Sequence, residues 1–453
     1  MEVVALYLLL PLFILLILGV PIAFSLGLSC TFFLALINIP ALALVPRAIP
    51  MNMLLSEMYN GVNQFVLLAL PMFLLSGDLM YRFQIIERLV DLSRKMVQWV
   101  PGGLAHVTIV ASAMFAFITG SALATAASIG PIMIPAMIRE KFPNHFAGAV
   151  VAAAAILGPI IPPSTPMIIL GSQLGISIGG LFAAGVVPGL LMAAFLMVYT
   201  FFVSRQRHYG KLLPFEGFRP LGLSTIRAVP AISVPLVILV GVIGGVFTPT
   251  EAGAVTVFYT LLLGFTYFRT ADGGKILDAL RNTAKVTASV LLIISTALVF
   301  NRLMTYFRVP QTLLEFMLTI SRDPIVIGII LIAFLLAIGT FMDELSNMVI
   351  LGPLLMPVCT SPEGMGMHPI QYGVFLITAI LLGLLTPPLS LILNVAAPIA
   401  KVSIERLVVS VLPFLAIQVG LVFLIAFYPP LTMWLPRLLG YQEAGVTSAV
   451  SAR

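Results

Sequence analysis

The sequence predicts an all-α polytopic membrane protein made of two similar halves, and three observations carry that prediction. Sixty per cent of its 453 residues are hydrophobic and 9% are charged. Its mean hydropathy is +1.14, far outside the range of soluble domains. Long apolar runs fill most of the chain, and an unusual set of glycine and proline interruptions occurs twice in the same order.

The runs cover 3–37, 52–80, 104–138, 146–203, 229–268, 286–300, 325–357, 370–400 and 407–428. Several exceed the ~20 residues of one helical span and must tilt, break or double back, which suggests roughly a dozen membrane segments. They are too long for barrel strands. The opening MEVVALYLLLPLF has Glu2 where a cleavable signal would be basic, so no signal peptide is expected. Cys30 and Cys359 lie far apart in or beside apolar runs and suggest no disulfide.

The net charge of +6 resides in short polar loops, the pattern of cytoplasmic connections and not of a nucleic-acid footprint. Loop 82–95 carries Arg82, Arg88, Arg94 and Lys95. Loop 205–227 carries Arg205, Arg207, Lys211, Arg219 and Arg227, and loop 269–285 carries Arg269, Lys275, Arg281 and Lys285. The last two flank one helical pair, 229–268, which places GVFTPTE (245–251) near the opposite face.

The repeat is carried by prolines. GPIIPP (158–163) and GLLTPP (383–388) share G-x-x-x-P-P, while GPIMIP (130–135) and GPLLMP (352–357) share G-P-x-x-x-P. A glycine-led polar stretch precedes each pair: TGSALATAAS (119–128) and GTFMDELSN (339–347). Three elements recur in one order at nearly equal offsets. The expected organisation is an N-terminal scaffold span (1–51), repeat 1 (52–204, broken helix at 158–166), basic loops with a connecting helical pair (205–285), repeat 2 (286–428, second hairpin at about 330–357, broken helix at 383–394) and a tail (429–453).

Four prolines in GPIIPPSTP (158–166) break a stretch otherwise apolar enough for mid-membrane. Each interior proline removes a donor and costs about 3 kcal/mol. Broken backbone at that depth survives only inside protein or beside a wet cavity. Paired breaks in corresponding positions point to the binding site of a secondary transporter. A half-helix N-terminus suits an anion, and freed carbonyls suit a monovalent cation.

The candidate sodium and substrate residues follow from that reading. In the first half they are Thr119, Gly120, Ser121 and Thr125, then Pro162, Ser164 and Thr165. In the second they are Gly339, Thr340 and Asp343, then Thr386, Pro387 and Asn394, with Ser346, Asn347 and Ser390 nearby. Small residues can simply allow close helix packing, and Ser164 or Thr165 can simply cap a helix. Asp343 is expected to be the sodium-side carboxylate or an anchor of the ligand loop, with Glu344 turned toward solvent; an intramembrane acid needs a partner, water or a cation. Glu251 reads as a helix-start acid behind Thr248 or Thr250. Asp78 and Glu57 read as interfacial. The four histidines show no metal-binding spacing. GISIG (175–179) matches G-x-S-x-G, but Ser177 has neither the strand–turn–helix context nor a placed base, so an enzyme is not expected.

These stretches together resemble the large membrane subunit of tripartite ATP-independent periplasmic (TRAP) transporters. The matching segments are LGVPIAFSLG (18–27), LPMFLLSGDLM (70–80), ITGSALATAASIGPIMIP (118–135), LGPIIPPSTPMIILG (157–171), GVFTPTEAGA (245–254), GTFMDELSNM (339–348) and GLLTPP (383–388). The resemblance implies an elevator-type importer of the bacterial inner membrane, with two inverted repeats, each holding a re-entrant helical hairpin and a broken helix. It implies sodium as coupling ion, a small four-helix membrane subunit, and a periplasmic binding protein that delivers a C4-dicarboxylate, sialic acid or another sugar acid. Thr119-Gly120-Ser121 matches the Ser-Gly-Ser-type first tip, Ser164 the serine after Pro-Pro, and Asp343 the acid of the second hairpin. Thr119 departs from serine but keeps the hydroxyl. Leu389-Ser390 departs from the usual Val-Gly, which changes the backbone demands there. A stand-alone sodium/anion symporter or ion antiporter is the alternative, and a passive membrane anchor a further one.

Overall fold

The computed structural model describes residues 2–39, 49–387 and 390–441. Pro388, Leu389 and the tail beyond 441 fall outside them. The elements are α1 (Glu2–Val4), a π turn (Ala5–Leu9), α2 (Leu10–Ile17), α3 (Ile22–Ile37), α4 (Asn52–Val62), a 3-10 turn (Phe65–Leu68), α5 (Ala69–Arg82) and α6 (Ile86–Val97). The first hairpin is α7 (Gly103–Thr119) and α8 (Ala122–Arg139). The first broken helix is α9 (Asn144–Ala155), α10 (Leu157–Ile160) and α11 (Thr165–Leu174), followed by α12 (Ile178–Arg207). The middle contains α13 (Phe218–Ile243), α14 (Pro249–Thr266), α15 (Gly273–Tyr306) and α16 (Val309–Ile320). The second hairpin is α17 (Pro324–Gly339) and α18 (Glu344–Thr360). The second broken helix is α19 (Pro369–Gly383) and α20 (Leu391–Ala400), then α21 (Ile404–Phe427) and α22 (Pro430–Leu438).

Seven helices among the described residues are long and apolar enough to cross a membrane, and six apolar helices of 10–17 residues accompany them. The short ones are mostly hairpin arms and half-helices, which is how roughly a dozen segments fit into fewer full spans. Two expected boundaries fall inside continuous helices. The 204/205 boundary cuts α12 and the 285/286 boundary cuts α15. α15 has 34 residues, about 51 Å at 1.5 Å per residue, against a hydrocarbon core of ~30 Å. Polarity changes where the helix leaves the membrane, not where it ends.

The halves interlock by exchange. α8 of the first hairpin packs on α20 of the second broken helix, and α18 of the second hairpin packs on α11 of the first. α9 packs on α21, and α19 packs on α12. Residues 146–171, which contain the first break, are all buried in protein, so no lipid faces the interrupted backbone. Between repeats 1 and 2, α15 packs along α3, α4 and α5 and also touches α18.

The three basic loops share one face. Arg82 pairs with Asp278 at 3.8 Å and with Asp78 at 3.1 Å. Asn282 donates to Asp78 at 3.2 Å, Lys95 pairs with Glu216, and Ser224 donates to Asp91 at 2.6 Å. Thr248 caps α14 in a reciprocal capping box with Glu251, as its sequence signature predicts. Ser177 caps α12 through the Gly180 N–H at 3.2 Å. The G-x-S-x-G match is therefore a helix start.

Candidate functional site

Each hairpin tip rests on a broken helix, and glycine is what lets it. At Gly120, φ is +56°, and a Cβ there would stand 2.8 Å from the Thr165 nitrogen and 3.0 Å from the Pro163 oxygen. At Gly158, one would meet the Ser121 oxygen and Thr125 Oγ1, both at 2.9 Å. The first tip is thereby pressed against the first break, bringing Gly120, Ser121, Thr125, Ser164 and Thr165 together beside Pro162. Thr119 closes α7 at this tip. Thr125 donates to the Ser121 carbonyl at 2.8 Å.

The second tip repeats the arrangement. A Cβ on Gly339 would meet the Ile380 oxygen at 2.6 Å and Gly383 Cα at 2.9 Å, so the end of α17 sits on the end of α19. Thr340 is buried and donates to the Ala337 carbonyl at 2.8 Å. Thr386 donates to the Gly383 carbonyl at 2.8 Å. Pro387 is exposed at this break, and Asn394, exposed on α20, donates its N–H to the Ser390 carbonyl at 3.0 Å.

Proline chemistry explains the local hydrogen bonding. Pro163 has no N–H for the Pro159 carbonyl one turn earlier, and the Ser164 hydroxyl donates to that carbonyl instead. Ser164 Oγ in turn accepts from the Met167 N–H at 3.4 Å, making Ser164 the N-cap of α11. Its cap role, left open by the sequence, is thus realised. The Pro162–Pro163 peptide is cis. In the second hairpin, Pro353 likewise leaves the Val349 carbonyl open. Gln173 on α11 fills it at 2.7 Å and Asn301 on α15 at 2.8 Å. These two amides were missed by sequence reasoning. Nothing local marks them: Gln173 follows Ser172 and Asn301 precedes Arg302, and their shared acceptor lies on a third helix.

Asp343 and Glu344 correct the expected orientation. Asp343 is half-buried and caps α18, accepting from the Leu345 and Ser346 N–H groups at 3.2 and 3.1 Å and from the Ser346 hydroxyl. Glu344, expected to face solvent, is only 5% exposed. Its carboxylate meets the Ser121 side chain and the Ala122 backbone N–H across the repeat boundary. The reason is geometric: the capping residue turns back on its own helix, and the next residue projects into the opposite hairpin. Three buried oxygen atoms of the second repeat have no partner among the described residues: Glu344 Oε2, Asn347 Oδ1 and, in the second break, Ser390 Oγ.

α8 begins at Ala122, beside the Glu344 carboxylate, and the half-helix α20, which packs along α8, begins at Leu391 in the second break. Such an assembly can hold an anion on amides and hydroxyls and a cation on carbonyls and carboxylate oxygens.

Comparison with known proteins agrees with this architecture. The family described as "Tripartite ATP-independent periplasmic transporter, DctM component" matches residues 9–431. The sialic acid TRAP transporter large permease protein SiaM of Vibrio cholerae is 36% identical over 94% of this chain and 97% of its own. The C4-dicarboxylate TRAP transporter large permease protein DctM of the same organism is 32% identical over 93% and 95%. Among solved structures, the Alcanivorax borkumensis YdaH transporter superposes with a TM-score of 0.59 at 14% identity, covering 93% of this chain and 98% of that one. That last likeness concerns the fold.

Proposed function

This chain belongs to the DctM family, the large permease component of TRAP transporters, and from that membership we propose that it imports an organic acid anion together with sodium. It is an inner-membrane transport protein and not an enzyme. In our reading a periplasmic binding protein delivers the anion, and a small four-helix membrane subunit completes the complex. The relatives named above suggest a sialic acid or a C4-dicarboxylate as substrate, and another sugar acid is the further member of that class. Sodium is cargo in this scheme, held by oxygen atoms of each break and its neighbouring tip. The substrate carboxylate faces half-helix N-termini and hydroxyls. An elevator movement of hairpins and broken helices together carries both across.

The observation that supports the reading best is the seating of each tip on a break through glycine, with Glu344 joining the two tips. A packing hinge would need one such contact; a shared site needs both halves to converge. The test is uptake of sugar acids and C4-dicarboxylates by proteoliposomes containing both membrane subunits, with and without binding protein and an imposed sodium gradient. Uptake is expected only with both, and Ser121→Ala and Asp343→Ala should nearly abolish it. Uptake that needs no binding protein would favour a stand-alone symporter. Unchanged uptake in both variants would remove the proposed site.

A further inference from the structure

Ser390 immediately precedes α20 in the second break, with φ +43° and ψ +59°. That is the left-handed region, which glycine occupies freely and an L-residue does not. The side chain is fully buried. It stands at the N-cap of a ten-residue helix yet makes no cap hydrogen bond, and its Oγ has no partner among the described residues. Glycine here would relieve the backbone and remove an unsatisfied hydroxyl. A serine that incurs both penalties at a helix start is the signature of a position kept for a ligand.

Break 1 supplies the control. Ser164 also follows a Pro-Pro pair and also stands at an N-cap, but its hydroxyl is committed to the Pro159 carbonyl and the Met167 N–H. Extended backbone (φ −121°) lets Ser164 turn onto its own helix; the left-handed turn at Ser390 comes with no such bond. The hydroxyl of break 2 is therefore available where that of break 1 is not. The second hairpin, seated on this break through Gly339 and Gly383, has its own unpartnered oxygen atoms on Glu344 and Asn347.

The ligand class follows from the field at that position. The first turn of α20 presents amide N–H groups and a partial positive charge, which repels a cation and attracts an anion. A hydroxyl beside those amides is a donor to the same anion. We propose that Ser390 is a specificity-determining residue that donates to a carboxylate oxygen of the transported anion. This rests on the reading of the chain as an organic-anion importer and deepens it.

The experiment compares Ser390→Ala and Ser390→Gly with the parent chain in the reconstituted full complex, using labelled sialic acid and a labelled C4-dicarboxylate as probes. KM for the anion, the sodium concentration for half-maximal uptake, and anion-induced protection against thermal unfolding are read together. Both variants should raise the KM of the transported anion about tenfold or more, the usual size of a lost hydrogen bond to a charged group. They should weaken anion protection in parallel and leave the sodium requirement unchanged. Unchanged KM in both variants overturns the proposal. A shift in sodium requirement alone overturns it in favour of a cation ligand. Loss in Ser390→Ala with normal behaviour in Ser390→Gly overturns it in favour of backbone conformation. Uptake by the parent chain without sodium dependence overturns the coupling while the KM comparison still judges Ser390. A parent chain neither transporting nor protected by these anions overturns both readings.

Discussion

The carboxylate of Glu344, on the second hairpin, meets the Ser121 hydroxyl and the Ala122 N–H at the start of α8, on the first hairpin. α8 has no cap from its own Ser121 side chain, and a helix start presents amides that need acceptors. An acid from one repeat thus faces the start of a hairpin helix of the other, where the positive helix end favours negative charge. The contact ties the two tips together in the state described here, and a transported carboxylate would compete for the same amide.

Replacing Glu344 separates its charge from its shape. Glu344→Ala should leave the Ala122 amide without an acceptor and lower stability by about 1–3 kcal/mol. Glu344→Gln keeps an accepting oxygen and should melt close to the parent, while uptake falls severalfold because the charge is gone. Thermal melting in detergent alongside reconstituted uptake reads the two effects separately. An alanine variant as stable as the parent would show that the contact carries no energy.

Gly339 and Gly383 touch backbone to backbone, and a Cβ on either meets the other's main chain at under 3.0 Å. Backbone cannot step aside as a side-chain end can. Gly339→Ala should therefore lift the second tip from its break, with overpacking costing about 1–3 kcal/mol, and reduce uptake more than tenfold. Gly222→Ala, on α13 where an added Cβ meets nothing within 4 Å, is the control and should transport normally. Equal behaviour of the two variants would contradict the seating.

Much of this was legible because it is written in prolines, glycines and charge. The two breaks, the paired tips, the basic face and the Thr248–Glu251 cap each have a local signature that needs no partner. Glu344 was misread because Asp343 and Glu344 share one sequence context at a helix start. Which of them turns inward depends on how α18 is rotated against the other repeat. Gln173 and Asn301 were invisible for a related reason: their acceptor is a carbonyl left open by Pro353 on a helix distant in sequence. Ser390 was marked as a departure, but its left-handed backbone and unpartnered hydroxyl belong to tertiary structure alone.

Asp343 offers a test of capping against ion binding. As a cap it accepts two backbone N–H groups, a task asparagine performs nearly as well, whereas alanine at such a position costs about 0.5–2 kcal/mol. Asp343→Asn should therefore retain the parent's melting behaviour. If the carboxylate also holds sodium, the same variant should need at least tenfold more sodium for half-maximal uptake, because the neutral amide binds a hard cation poorly. A normal sodium requirement in a stable Asp343→Asn protein would reduce Asp343 to a cap.

Orientation can be checked with thiol chemistry, because Cys30 and Cys359 are both fully buried and a membrane-impermeant maleimide should ignore them. Val246, in the turn between α13 and α14, is 70% exposed on the side opposite the ion-paired basic loops. Lys275 and Glu216 lie on the basic face. Basic loops are retained in the cytoplasm, so in intact spheroplasts Val246→Cys should be labelled from outside. Lys275→Cys and Glu216→Cys should react only after the membrane is opened. With that face fixed, the first hairpin, whose arms begin and end next to Trp99 and Arg139, enters from the cytoplasm. The second enters from the periplasm, as inverted halves require. Labelling of Lys275→Cys in intact cells would reverse the orientation of both hairpins at once.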